Sequence, residues 1–241
     1  MTFIYTHSEN NSGYLQVNKR DFIPPSEVCV SLMIITSFTD GLVQFFYKVL
    51  TMLYLEYSVL FSHPDHWMFL LACGAVVNNH IALEDLQSTL SEWNVPYTFG
   101  FTAPTFNAHL ASDFIAHFST HILIQSAGLK EKTICRMLDL CWNLRCHGSL
   151  ILFRYSYDDK CILREEYQWI HLTLQPGGHP LPMQCPLCKC IGSLSTFHTK
   201  CQDVKVAGIV CQNMGCRHTL EWNVTYEVNQ IDTYHGSWHK V

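Results

Sequence analysis

Two close pairs of cysteines, Cys185-Pro186-Leu187-Cys188 and Cys211-Gln212-Asn213-Met214-Gly215-Cys216, are separated by 22 residues. A tight turn that carries two thiolates presents two corners of a tetrahedron, so paired knuckles at this spacing fit a four-thiolate zinc site. Pro186 stiffens the first turn and Gly215 eases the second. Four protein ligands close the coordination sphere. The expected Zn2+ is therefore structural rather than catalytic, and it supplies much of the folding energy of a small unit. Cys190, Cys201, His198 and His218 are the substitute ligands within reach, ranked below Cys185, Cys188, Cys211 and Cys216. Val204–Val210 and Leu220–Val228 read as strands, and two knuckles joined by β-hairpins describe a zinc ribbon.

A second constellation is Phe69-Leu70-Leu71-Ala72-Cys73-Gly74. A cysteine at the carboxyl end of a buried strand, followed by glycine, sits where α/β sheets place reactive groups. On pattern alone, the more ordinary role of such a cysteine is that of a small buried hydrophobe. His117 and His121 stand one helical turn apart, but no third ligand accompanies them, so they and His109 read as helix-surface residues. His179, between Gly178 and Pro180, reads as a linker residue packing against the ribbon. No glycine-rich phosphate loop occurs, which leaves nucleotide hydrolysis without support.

The elements that must position these groups follow from patterning. Across 241 residues, 48% are hydrophobic and 15% charged, a composition that builds a substantial core. Val28–Thr36 reads as a buried strand and Leu42–Phe61 as a helix. Trp67–Ala72 is a second strand, followed by a helix over Ile81–Trp93 that turns Ile81, Leu83, Leu86 and Leu90 to one side. Tyr97–Thr102 is a strand. Phe106–Ser126 repeats Phe106, Leu110, Phe114, Phe118 and Ile122 at helical spacing. Lys130–Arg145 is a helix with Ile134, Met137, Leu138 and Cys141 inward, and Ser149–Tyr155 is a strand. Such alternation predicts a mostly parallel sheet flanked by helices. The expected organisation is a loose lead-in with one short strand over 1–27, an α/β domain over 28–174, a Pro/Gly linker over 175–182, the ribbon over 183–230 and a tail over 231–241.

Charge and cysteine usage bound the partners. The net charge is -5, and from Met183 onward five Lys or Arg face four acids, a thin footprint for nucleic acid. Met1–Arg20 is polar where a signal peptide needs an apolar run, so the twelve cysteines read as reduced and the chain as intracellular, cytoplasmic or nuclear. Val28–Phe61 is strongly apolar, but Asp40, Lys48 and Glu56 interrupt it, and no membrane span is expected.

The strand Phe69–Gly74, the helix Ile81–Trp93, the strand reaching Phe99-Gly100-Phe101 and the helix from Phe106 together resemble the nucleophile half of a caspase/CHAT-like peptidase domain. More closely, about 60% of the chain, from Trp67 to Cys216, resembles a multi-copy family of fungal proteins. In that family such a half-domain precedes a segment matched here by Trp169, His171, Pro176, Gly178, His179, Pro180, Leu181, Pro182, Gln184, Cys185, Pro186 and Cys188. The resemblance implies Cys73 as nucleophile and requires a histidine at the end of the neighbouring upstream strand. With that neighbour taken as Val28–Thr36, the strand end Thr36-Ser37-Phe38-Thr39-Asp40-Gly41 holds none. His63 and His66 precede the Cys73 strand by its whole length, and the resemblance gives His80 no such role. The expected function is therefore protein–protein interaction on a scaffold without a complete dyad. The alternatives are a cysteine endopeptidase using Cys73 and a ribbon-mediated nucleic-acid binder.

Overall fold

The computed structural model describes residues 2–5, 15–16, 22–23, 66–72, 74–92, 94–104, 109–201, 204–226 and 230–241. The expected strand Val28–Thr36, the expected helix Leu42–Phe61, and Cys73 itself lie outside these residues. The chain divides into two compact units, Met1–Ser119 with Asn143–Glu166, and Thr120–Trp142 with Tyr167–Val241.

In the first unit, strand β1 (Thr2–Tyr5) pairs in parallel with β4 (Trp67–Leu71), and β4 pairs in parallel with β5 (Tyr97–Phe101). A two-stranded hairpin of β2 (Leu15–Gln16) and β3 (Phe22–Ile23) stands apart. Helices α1 (Ala75–Asn78) and α2 (His80–Glu92) connect β4 to β5, and α3 (His109–Phe118) follows β5. The next strand, β6 (Leu150–Ser156), runs antiparallel to β5 and is succeeded in the sheet by β7 (Cys161–Ile170).

The expectation of a mostly parallel sheet is thus corrected. Only β1, β4 and β5 run together. One helical crossover returns a chain to the same end of a sheet and gives a parallel neighbour. Between β5 and β6, however, the chain makes two helices, α3 and α4 (Glu131–Asp139), and β6 returns antiparallel to β5. Within the expected lead-in, Thr2–Tyr5 forms a short strand, and it belongs to this sheet. Both edges of β4 are occupied, one by β1 and the other by β5.

Residues on β4 alternate between two cores, as a pleated strand demands. Met68 and Leu70 join Val76, Val77, Leu86, Leu90, Ile151 and Phe153 under α1 and α2. Trp67 and Phe69 turn the other way: Trp67 stacks on Tyr97 at 4.3 Å between centroids, and Phe69 on Phe99 at 5.0 Å. Phe114 and Phe118 of α3 meet these rings edge-on at 5.1 to 6.4 Å. Helices therefore cover both faces of the first unit's sheet. Leu86 and Leu90 of α2 face inward as expected, Leu83 packs half-buried against the same core, and Ala82 and Thr89 join them; Ile81 alone of the expected set departs, 66% exposed because it falls off that stripe. Phe114→Ala, which empties a fully buried site in this aromatic cluster, is expected to cost about 3–5 kcal/mol of unfolding free energy in a urea titration.

In the second unit, a π-helical turn over Ser119–Ile124 leads toward α4, whose Ile134, Met137 and Leu138 are buried as expected, with Cys141 just beyond. The second half of β7 pairs antiparallel with β11 (Ser237–Lys240). A separate antiparallel sheet of three strands runs in the order β10 (Thr219–Val224), β9 (Val204–Cys211), β8 (Leu194–Cys201). Among the described residues, no helix is long and apolar enough to cross a membrane.

Candidate metal centre

Both cysteine knuckles sit at one end of the three-stranded sheet. Cys211 closes β9 opposite Leu194, and its N–H donates to the His218 carbonyl at 2.8 Å, which draws the second knuckle into a loop. Within that loop, Cys216 N–H and Arg217 N–H both donate to the Asn213 carbonyl, at 2.9 and 3.1 Å. The first knuckle is tied by Lys189 N–H to the Cys185 carbonyl at 2.9 Å and by Cys185 N–H to the Cys190 carbonyl at 3.0 Å. Lys189 (φ 61°) and Arg217 (φ 52°) each take the left-handed conformation just past a knuckle cysteine.

This backbone brings the four sulfurs of Cys185, Cys188, Cys211 and Cys216 within 4.8 Å of one another. Cys185 Sγ and Cys216 Sγ are 3.7 Å apart, and so are Cys188 Sγ and Cys211 Sγ. A metal–sulfur bond of about 2.3 Å at tetrahedral angles sets a sulfur–sulfur edge of about 3.8 Å, which the measured separations match. A disulfide needs about 2.05 Å, and all four are free thiols. Cys185 and Cys211 are buried, while Cys188 and Cys216 are half-buried. The donor set, four soft sulfurs at tetrahedral separations, fits zinc or iron. The sulfurs oppose one another's ionisation. A hydrogen bond from the His218 backbone favours the Cys216 thiolate, yet burial and the neighbouring sulfurs of Cys188, Cys185 and Cys211 push this thiol up to about 12. A divalent ion at the centre reverses that balance.

Two side chains at this site were not legible as participants in the sequence. Ser193 Oγ lies 3.4 Å from Cys211 Sγ, and Asn213 Nδ2 donates to Cys190 Sγ at 3.3 Å and Cys188 Sγ at 3.8 Å. Such contacts to ligand sulfurs orient them and reduce their basicity. The one available signal was the Asn-x-Gly pattern in the second knuckle, since Asn213 Oδ1 accepts from Gly215 N–H at 3.1 Å.

The substitute ligands stand elsewhere. His198 is opposite Ala207 on the sheet, where burial lowers its pKa, and Cys201 pairs with Val204 at the far end of β8. His218 serves through its carbonyl. His117 and His121 belong to no three-ligand group among the described residues, and His121 Nδ1 lies 2.9 Å from Gln125 Oε1. His179 stacks on Trp222 at 4.4 Å, interplanar angle 17°, and Gly177 N–H donates to Tyr226 Oη at 3.0 Å. The 175–182 segment is therefore docked on β9 and β10 within this unit rather than free. Trp222→Ala is expected to release it, which limited proteolysis at 175–182 reads as faster cleavage.

No family model, curated protein or solved structure matches this chain.

Proposed function

We propose that the chain is a cysteine-dependent hydrolase of caspase/CHAT-like type, Cys73 its nucleophile and His7 its base, with a C-terminal ribbon folded around structural zinc. The observation that carries this reading is the register of β1 on β4. The strands are parallel with Tyr5 opposite Leu71, and two positions beyond each the sequence holds His7 and Cys73. Neighbouring strands run about 4.8 Å apart, and a nucleophile and its base must come within reach of a shared proton. The strand that precedes β4 in the sequence and pairs with it is β1, so this reading takes its histidine from the sequence after β1 rather than from Thr36–Gly41.

In this reading His7 takes the Cys73 proton and the thiolate attacks the scissile carbonyl carbon. The imidazolium then protonates the departing amine, and water hydrolyses the thioester. Gly74 holds the nucleophile's corner. Its N–H donates to the Ala103 carbonyl at 2.7 Å, and Asn78 Nδ2 donates to the Thr102 carbonyl at 2.9 Å, so the ends of β4 and β5 are locked together.

Site-resolved alkylation with iodoacetamide near neutral pH tests the assignment. Cys73 is expected to react at least about a hundredfold faster than Cys135, whose thiol burial and the carboxylates of Glu131 and Asp139 push up to about 12, and His7→Ala is expected to remove that advantage. Labelling of Cys73 no faster than of Cys161 would defeat the proposal.

A second reading, a protein-interaction module, is favoured by one further observation. Met183, Leu187, Ile191 and Met214, on and beside the two knuckles, are 65% to 86% exposed. Large apolar side chains held open on a rigid frame suit a protein partner better than solvent. Retained binding of a partner by Cys73→Ala, lost on Leu187→Asp with Met214→Asp, is the expected result for that role.

A further inference from the structure

A fifth thiol accompanies the four-sulfur cluster, and the closed ligand set leaves it without a metal to bind. Cys190 Sγ accepts from Asn213 Nδ2 at 3.3 Å, and the same amide reaches Cys188 Sγ at 3.8 Å, so one donor bridges a ligand sulfur and a spare sulfur. The Cys190 backbone is fixed too, because its carbonyl accepts from Cys185 N–H. Between Cys188 and Cys190 the chain turns left-handed at Lys189 (φ 61°). In helical-type turns of either hand, residues two apart have Cα atoms about 5.4 Å from each other, inside the span of about 4.4–6.8 Å that a disulfide accepts. Both sulfurs are half-buried rather than sealed, which leaves them open to a small oxidant.

We infer that Cys190 is the resolving thiol of a redox-releasable zinc centre, with hydroperoxides as the class of oxidant. The inference rests on the zinc reading above. The Cys188 thiolate attacks one peroxide oxygen; the O–O bond breaks, leaving a sulfenic acid on Cys188 and releasing hydroxide. The Cys190 sulfur then attacks the Cys188 sulfur, the S–O bond breaks, and the second hydroxide takes the Cys190 proton. Two sulfurs lose two electrons in all; hydrogen peroxide leaves as one water and one hydroxide, and that hydroxide takes a proton from solvent to become the second water. A site reduced from four sulfurs to three lets the ion go. The disulfide guards Cys188 against irreversible over-oxidation, and thiol reductants restore the ligand set.

The test uses the full zinc-loaded chain and hydrogen peroxide, with a chromogenic chelator reporting released zinc and peptide mass mapping locating the bridge. The expected result is complete zinc release, a Cys188–Cys190 disulfide, and full zinc rebinding after dithiothreitol. Cys190→Ser is expected to hold the same stoichiometric zinc before oxidation. After oxidation it should fail to rebind zinc on reduction and carry sulfinate on Cys188. Recovery of Cys190→Ser equal to that of the parent chain, or a bridge joining other ligands, overturns the inference. If neither protein holds zinc before peroxide, the zinc reading is what fails, and mapping the bridge in the metal-free chain still decides the Cys188–Cys190 pairing.

Discussion

Cys185→Ser is expected to abolish stoichiometric zinc and to unfold the three-stranded sheet that carries the knuckles, leaving the first unit folded. Cys185 is fully buried with its sulfur 3.7 Å from that of Cys216, so no water-exposed ligand can take its place. Structural zinc contributes roughly 10–16 kcal/mol of apparent binding free energy at neutral pH, as much as an entire domain's net stability of roughly 5–15 kcal/mol. Much of the sheet outside the cluster is thinly packed: apart from Ala207, Gly208, Ile209 and Cys211, the described residues of its strands are half-buried or exposed. Metal analysis of purified protein reads the first outcome, and limited proteolysis of β8 to β10 reads the second. Cys190→Ser is the matched control and should lose neither. Zinc retained by Cys185→Ser at one ion per chain would defeat the four-thiolate assignment.

Gly74→Ala carries the second large effect. A Cβ at this position would lie 2.1 Å from the Thr102 carbonyl oxygen and 2.2 Å from its carbon. Both are backbone atoms of the strand end, so no rotamer change relieves the clash. Either the chain after β4 moves outward and gives up the Gly74 N–H to Ala103 carbonyl bond, or the end of β5 is displaced. Overpacking of about 1–3 kcal/mol, together with a lost hydrogen bond of about 1 kcal/mol, gives an expected destabilisation of about 2–4 kcal/mol in urea unfolding. On the proposed hydrolase reading, the substitution should also slow alkylation of Cys73, since Gly74 is the residue that follows it. A loss below about 0.5 kcal/mol, the range of ordinary surface substitutions, would show that β4 and β5 do not close as described.

How much the residues disclosed depended on the range of the interaction involved. The elements between Trp67 and Tyr155 were legible because their signals are local. Trp67–Ala72 is a short apolar run, and Phe114, Phe118 and Ile122 repeat at helical spacing; all face inward. The orientation of β6 was harder to read, since the alternation argument counts elements and overlooks that two helices reverse the chain. β8 gave little warning, because it mixes Ser, Thr, His and Lys, and Leu194–Lys200 are half-buried or exposed.

The four cysteines were determined by the sequence alone. Each pair lies within one turn, so their spacing encodes the knuckle directly, and two knuckles leave a tetrahedron as the arrangement of closest mutual approach. Tertiary structure decided the rest. Which strand lies beside β4 is a long-range choice, with Tyr5 set opposite Leu71 across an intervening stretch that carries strand-like runs of its own. The place of Cys190 was likewise undecided in the sequence, where it stood among several spare ligands. An amide from the second knuckle, Asn213, holds it beside Cys188, and a side-chain hydrogen bond between two loops leaves no periodic trace in a chain.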